Sequence, residues 1–405
     1  MKTYLKDYNL TIDSVEQAIY DCLHHKWKRK DVSYFLAEYE MKPDENIHIV
    51  AKKCRRIAMD KESRYLLANA IHKAAMCMYQ EIKDRNVILK PIEYQMRYDS
   101  SSCKMREIGI SSIKQQIYDY VAVNACKKMF SAKIGYYQCA SIPKKGQVFG
   151  KKAIEKWIRK DPANTRFYYK CDIKKYYPNV NTRKLKRLLR RDIKNKDILY
   201  LIFRLLATYK SGLCIGSYLS QYLANYYLSY AYHHITENSF SIRNKKNGEK
   251  IRVNNVTHVL FYMDDVILFS RSMKLLKRAI KDFIEYISKE LVLTIKDNYQ
   301  IGRTKDSRID MMGYSISIEN TIIRKKIYKK IFHLFLRLNR KVISITIHIA
   351  RRMLSYNGWI KNSDLHNFVE RYKVKELIDK AKKEVSHYDK NSIYREAKRL
   401  QLLSA

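Results

Sequence analysis

The sequence predicts an α+β chain in which helical segments enclose a strand-rich centre, and three observations carry that prediction. Apolar residues recur at helical spacing through residues 11–92. Two apolar runs rich in Val, Ile, Phe and Tyr flank adjacent carboxylates at residues 258–270. From Arg324 onward the chain is again helical, and strongly basic.

Composition narrows the class. With 405 residues and 46% hydrophobic content the chain can bury a core for two or three domains. Lys and Arg number 81 against 40 Asp and Glu, a formal net charge of +41. That imbalance points to a polyanionic partner, because releasing phosphate counterions drives non-specific nucleic-acid binding. A ribosome-like or membrane-surface protein is the alternative. The 34 tyrosines interleave with lysines, which suits base stacking beside phosphate contacts, though many will serve core or rim. Eight cysteines, Cys103 among them, show no paired spacing, so buried reduced thiols are expected rather than zinc ligands or disulfides. No apolar segment follows Met1 and no run spans a bilayer, which predicts a cytoplasmic chain without a membrane. Five Pro and 10 Gly argue against a flexible tether between subdomains.

In chain order, Val15, Ala18, Ile19 and Cys22 mark a first helix, capped by Thr11 or Asp13. His24 and His25 read as solvated. Residues 91–130 mix a short strand with a helix, and alternation of Lys104 and Arg106 with Ile108 and Ile110 puts the two cations on one strand face. They could hold a phosphate or decorate a charged edge strand. A Pro, Lys and Gly loop at 141–150 precedes a helix at 151–158. The aromatic run 166–180 is a strand delivering Asp172 near its end, stopped by Pro178. Tyr176 and Tyr177 follow closely enough to line the same pocket.

Residues 185–206 predict two basic amphipathic helices around Asn195, and residues 211–228 a glycine-containing loop entering a helix with Ser220 and Gln221 as polar exceptions. Asn247-Gly248 signals a hairpin turn. At 258–270 a strand, tight turn and strand present Asp264 and Asp265 at the tip. At ~4 Å and an effective dielectric of ~20 two such charges repel by about 4 kcal/mol, a cost that a divalent cation reverses. An ordinary Asp-Asp turn is the alternative; Asp172, which at a strand end could equally cap the following helix, would complete the site as a third carboxylate. Three carboxylates holding two metals suit in-line phosphoryl transfer. Residues 274–290 form an amphipathic helix with Leu275, Ala279, Phe283, Tyr286 and Ile287 on one face. Short strands are expected at 291–295 and 314–318. Arg337, Arg340, Lys341, Arg351 and Arg352 then lie among apolar residues, as in a helical module on a duplex backbone, or on a solvated face.

The ordered set resembles a reverse transcriptase. It comprises the Asp172 segment, the loop and helix from Ile215 to Gln221, the Tyr262-Met263-Asp264-Asp265 hairpin and the Met312-Gly313-Tyr314 strand, over about Lys104 to the C-terminal region. A finer resemblance lies in Ile215-Gly216-Ser217-Tyr218-Leu219-Ser220-Gln221. Most reverse transcriptases carry Gln-Gly-x-x-x-Ser-Pro there, whereas those of diversity-generating retroelements, within the group II intron-like superfamily, carry Ile, Leu or Val and then Gly-x-x-x-Ser-Gln. Residues 293–301, 309–314 with Ile323-Arg324-Lys325, and Ser355-Tyr356-Asn357-Gly358-Trp359 look like the same group.

That resemblance implies a right-hand polymerase: an N-terminal helical segment at 1–96, fingers at 97–163, an antiparallel-sheet palm at 164–320 and a helical basic thumb at 321–405. It implies two Mg2+ ions held by Asp172, Ile173, Asp264 and Asp265, and Tyr177 as the gate against ribonucleotides. Lys104 and Arg106 would hold the triphosphate, with Ile215, Gly216 and Gln221 in the nucleotide pocket and Lys296 as general acid for pyrophosphate. Arg324, Lys325, Arg351 and Arg352 would contact nucleic acid. Ile215 replaces a glutamine that aligns the nucleotide with its template base, which in that group accompanies misincorporation opposite adenines when a repeat RNA is copied into cDNA. Partners implied are template RNA, primer or cDNA, and a small basic ring-forming accessory variability protein. A prokaryotic defence or retron-like reverse transcriptase, and an RNA-binding scaffold that has lost catalysis, are the two other readings.

Overall fold

The computed structural model describes residues 3–99 and 104–401, and Cys103 lies outside them. Four helices open the chain: α1 (Ile12–Leu23), α2 (Lys30–Glu40), α3 (Ile47–Met59) and α4 (Ala68–Lys83). Thr11 caps α1, exchanging hydrogen bonds with Ser14 in a capping box. β1 (Glu93–Asp99) and β2 (Lys104–Ile110) form a separate two-stranded antiparallel ribbon. The ribbon projects: Met96, Tyr98, Met105 and the cations Lys104 and Arg106 are exposed, and burial begins only near its base, at Gly109.

The long helix α5 (Ile113–Lys133) leads to β3 (Gln138–Cys139) and α6 (Gln147–Lys160). β4 (Phe167–Asp172) ends at the carboxylate itself, and Pro178 sits five residues beyond Ile173 inside the single turn α7 (Tyr176–Asn179) rather than terminating the strand. Asn195 divides α8 (Thr182–Asp192) from α9 (Lys196–Ala207), accepting a hydrogen bond from the Ile198 N–H. Next come α10 (Tyr218–His233), the hairpin β5 (Phe240–Asn244) and β6 (Lys250–Asn254) closed at Gly248, then β7 (His258–Tyr262), β8 (Asp265–Ser270) and α11 (Met273–Lys289). On α11 it is Leu276, not Leu275, that faces the core, while Tyr286 stacks on His234 at its rim.

Residues 291–295 make no strand: only an isolated bridge joins Ile295 to Ile173, and the strand forms later as β9 (Gln300–Arg303). β10 (Ile309–Met311), β11 (Tyr314–Ile316) and β12 (Thr321–Ile323) form a small antiparallel sheet. The helices α12 (Lys325–Asn339), α13 (Ile347–Lys361), α14 (His366–Arg371) and α15 (Val374–Gln401) complete the chain.

The central sheet has the order β3-β7-β8-β4-β9. It is mixed rather than wholly antiparallel, because β3 pairs in parallel with β7. Side chains alternate between two cores. Val259, Phe261, Val266, Leu268, Tyr169 and Cys171 join the large helical core on one face. Leu260, Ile267, Phe269 and Tyr168 join a second core with α6 and β10–β12 on the other. Covering both faces explains why β7 and β8 read as continuous apolar runs instead of alternating ones. The C-terminal helices hold a third core, and Trp359 bridges it to the sheet: a Cβ on Gly313 would lie 2.4 Å from the Trp359 ring.

Six of the seven described cysteines are buried and all seven are free, with Cys77 exposed against expectation. Among the described residues no helix is long and apolar enough to cross a membrane.

Candidate active site

The pairing register builds the site. Asp172 ends β4 and Asp265 begins β8, and the two are direct Cα partners across the antiparallel ladder. Asp264 occupies the hairpin turn with Met263, whose φ of 53° is left-handed, a conformation a non-glycine side chain rarely adopts. Such strain persists where the surroundings over-determine it. Here the Met263 N–H donates to the Cys139 carbonyl at 3.4 Å and the Ile173 N–H to the Asp264 carbonyl at 3.1 Å. Beneath the turn, buried Asn225 of α10 donates to the Ala140 carbonyl at 3.1 Å and stands 3.5 Å from the Met263 sulfur. Ile173 itself is buried, and because N–H and C=O of an extended residue point to the same side, its carbonyl also faces the hairpin.

The electrostatics follow from crowding. Burial pushes the Asp264 carboxyl up to about 6, and the charges of Asp172 and Asp265 add to the rise. Asp265 is also raised, chiefly by burial, against the opposing charges of Lys170, Arg324 and Lys296. The Lys296 ammonium forms an ion pair with Asp172 Oδ1, and its backbone N–H donates to the Asp172 carbonyl at 2.9 Å. That oxygen is buried and has no aligned hydrogen-bond donor, so the ion pair is its only close polar partner among the described residues.

These residues fit a divalent cation by donor type: hard carboxylate oxygens, one of them short of donors, with ionisation opposed by their neighbours. Among the described residues no three His, Cys, Asp or Glu side chains close into a ligand cluster. Like-charge repulsion and the ion pair of Lys296 with Asp172 both oppose such closure without a cation.

The other predicted residues are dispersed around this centre. Tyr177 is half-buried, with its hydroxyl pKa raised by burial and by the charge of Asp264. Tyr176, expected to line the same pocket, is buried in the core with its hydroxyl donating to the Ala224 carbonyl at 2.6 Å. The Tyr177 carbonyl accepts from the Leu213 N–H at 2.8 Å, and a Cβ on Gly212 would lie 2.3 Å from that carbonyl oxygen. Ile215 is half-buried, and its carbonyl accepts from the Gly109 N–H of β2 at 2.8 Å. Gly216, at φ 115°, approaches the same residue so closely that a Cβ would sit 2.4 Å from the Gly109 oxygen. Gln221 is half-buried on α10, and its carbonyl accepts from Asn225.

Lys104 and Arg106 stand exposed toward the tip of the ribbon, where Arg106 Nε lies 3.0 Å from Asp99. Arg324 pairs with Asp310 at 2.6 Å and still acts on Asp265. Lys325 is exposed at the start of α12. Arg351 pairs with Asp389 at 3.3 Å, while Arg352 lies 5.9 Å from the Tyr356 ring centroid. Sequence reasoning missed Lys170 and Asn225. An Asn inside an apolar helix was the available signal for the second; nothing marked the first.

The family model described as Reverse transcriptase (RNA-dependent DNA polymerase) matches residues 98–316, more than half of the chain and all three carboxylates. The chain belongs to the reverse transcriptase family. This reverse transcriptase is therefore an RNA-directed DNA polymerase with a right-hand polymerase fold, and its family generally uses divalent metal ions. Two solved structures are similar to it. One is apo telomerase from Candida tropicalis truncated from its C-terminal domain, at TM-score 0.37 and 10% identity over 68% of each chain. The other is telomerase from Candida albicans with a TWJ fragment of telomeric RNA, at TM-score 0.40 and 10% identity over 75% of this chain and 62% of that one. No curated protein sequence matches.

Proposed function

We propose that this reverse transcriptase copies a template-repeat RNA into error-prone cDNA, mutated at adenines, for diversification of a target gene. The observation that carries this reading is Ile215. It stands where most relatives place a polar glutamine, in a loop fastened to β2 through its own carbonyl. An aliphatic side chain there fills space without offering a hydrogen bond to the base pair, so the pocket loses polar discrimination.

In this reading Asp172, Asp264 and Asp265, with the carbonyl of Ile173, hold two Mg2+ ions. When bound, these ions activate the primer 3′-hydroxyl and stabilise the leaving pyrophosphate. Lys296, already seated on Asp172, donates a proton to that pyrophosphate. Tyr177 packs under the incoming sugar and excludes a 2′-hydroxyl. Lys104 and Arg106 swing with the ribbon onto the triphosphate. Arg324, Lys325, Arg351 and Arg352 meet the duplex. A small basic accessory protein forming a ring is the expected partner, and with +41 on this chain RNA between the two is what would hold them together.

Primer extension with magnesium and template RNA tests the chemistry: Asp264→Ala should abolish it, and an unaffected variant removes the carboxylates from catalysis. Sequencing the cDNA tests the biology. Ile215→Gln should lower errors opposite adenines, whereas equal spectra for wild type and variant would remove Ile215 from the mechanism. DNA flanking the gene should carry a near-identical repeat pair differing mainly at adenines.

A further inference from the structure

We infer that Asp119, a buried carboxylate on α5 well away from the metal-binding motifs in sequence, is a positioning residue that sets nucleotide selection by fixing the Cys214–Ser217 loop. The inference rests on the reading of that loop as one wall of the nucleotide pocket.

Asp119 is 1% exposed. One of its oxygens accepts from Ser217 Oγ at 2.7 Å and from the Tyr218 N–H at 3.0 Å, and the other has no aligned donor. Burial pushes the carboxyl up to about 6 despite those bonds. A half-satisfied buried carboxylate is costly, and capping is only part of its role: it takes the Tyr218 N–H in the first turn of α10. Ser217 already caps the helix, its Oγ accepting from the Ser220 N–H at 3.1 Å. Beyond its share of the cap, Asp119 gives Ser217 itself a fixed point, seconded by the Tyr209 hydroxyl 2.9 Å from the same Oγ.

From Ser217 the constraint runs forward and back. Ser220, buried, accepts from the Cys214 N–H at 3.2 Å, which ties the start of the loop to the helix. Between the two anchors Ile215 and Gly216 press on Gly109 of β2. The loop is thus held from inside by Asp119 and stopped outside by the ribbon, and the depth of the Ile215 side chain is set by the pair. Charge-assisted hydrogen bonds are the strong ones, which suits an acceptor that must hold a loop against an entering nucleotide.

The test is steady-state primer extension together with cDNA sequencing. Asp119→Ala should raise KM for complementary nucleotides about tenfold at nearly unchanged kcat, the loss expected for a charge-assisted hydrogen bond that positions rather than reacts. Its misincorporation spectrum should shift as well. Asp119→Asn retains an acceptor oxygen and should recover most of the KM. An Asp119→Ala enzyme that melts earlier but keeps KM and error spectrum would reduce Asp119 to a structural cap and overturn the inference. If that variant does not fold, Tyr209→Phe removes the hydroxyl that seconds Asp119 at Ser217 and leaves Asp119 in place: a raised KM supports the inference, and an unchanged KM and spectrum overturn it. The parent reading fails differently. Should Ile215→Gln leave errors unaltered while Asp119→Ala raises KM, the loop is a nucleotide wall and only the diversifying role is lost.

Discussion

Replacing Asp264 by its amide should make the folded chain sturdier and, on the function proposed above, inert. Asp264 stands in the hairpin turn with Asp172 and Asp265 acting on it, and its carboxyl is raised from 3.8 to about 6. A rise of that size is worth roughly 3 kcal/mol against the charged form at neutral pH. The turn is partly open to solvent, which screens some of it, so Asp264→Asn should stabilise the folded chain by about 1–2 kcal/mol. Over 405 residues the unfolding entropy is about 0.85 kcal/mol per kelvin, giving a rise in Tm of about 1–2 °C, larger where the central sheet melts by itself. The sign with pH follows from a folded pKa above the unfolded one. The penalty on wild type is complete above pH 6, fades as pH falls through 6, and is gone below the unfolded value of about 3.9. Calorimetry of both proteins in EDTA should therefore show the advantage of the variant at pH 7.5 and its shrinkage toward pH 5. A variant no more stable than wild type at pH 7.5, or an advantage that ignores pH, would refute the crowding argument.

Lys296 and a divalent cation compete for Asp172, so Lys296→Met should lower the magnesium concentration needed for half-maximal thermal stabilisation by about threefold to tenfold; primer extension should slow in the same variant, and an unmoved magnesium midpoint would count against the competition. Gly212→Ala places a Cβ 2.3 Å from the Tyr177 carbonyl oxygen at a φ of 48°. A cost of about 2 kcal/mol or more is expected, together with lost discrimination between deoxy- and ribonucleotides in single-turnover incorporation. Trp359→Ala should loosen the C-terminal helices from Gly313 and Tyr314. Product-length analysis should show shorter cDNAs with single-nucleotide addition preserved, and full-length products at the wild-type rate would exclude a role for that contact.

Much of this molecule was legible because local signals agreed with the tertiary outcome. Thr11 and Asn195 are caps that act over three residues, and Asn247-Gly248 closes a hairpin from the preference of glycine for positive φ, so sequence sufficed for each. The Asp264 hairpin was readable because its strands are buried on both faces, and Asp172 could be joined to it only through the order of motifs. Failures came where long-range pairing decides. Residues 291–295 have strand composition, yet only Ile295 forms a bridge, to Ile173 just past β4, before the strand proper starts at Gln300. The two-residue β3 is parallel because α5 and its loop return it beside β7, which no local preference encodes. Asp119 was invisible for the same reason: its partners lie about a hundred positions away.

The contact between Gly109 and Gly216 has a mechanical consequence. Among the described residues the β1–β2 ribbon is exposed along much of its length and paired to no other strand, and it meets the loop of Ile215 and Gly216 at Gly109, near its base. The two glycines are thus where the ribbon and the loop are joined. If Lys104 and Arg106 hold the triphosphate as proposed, a shift of the ribbon would reach Ile215 through the hydrogen bond from the Gly109 N–H to its carbonyl, and grasping the phosphates and gauging the base would become one movement of the backbone.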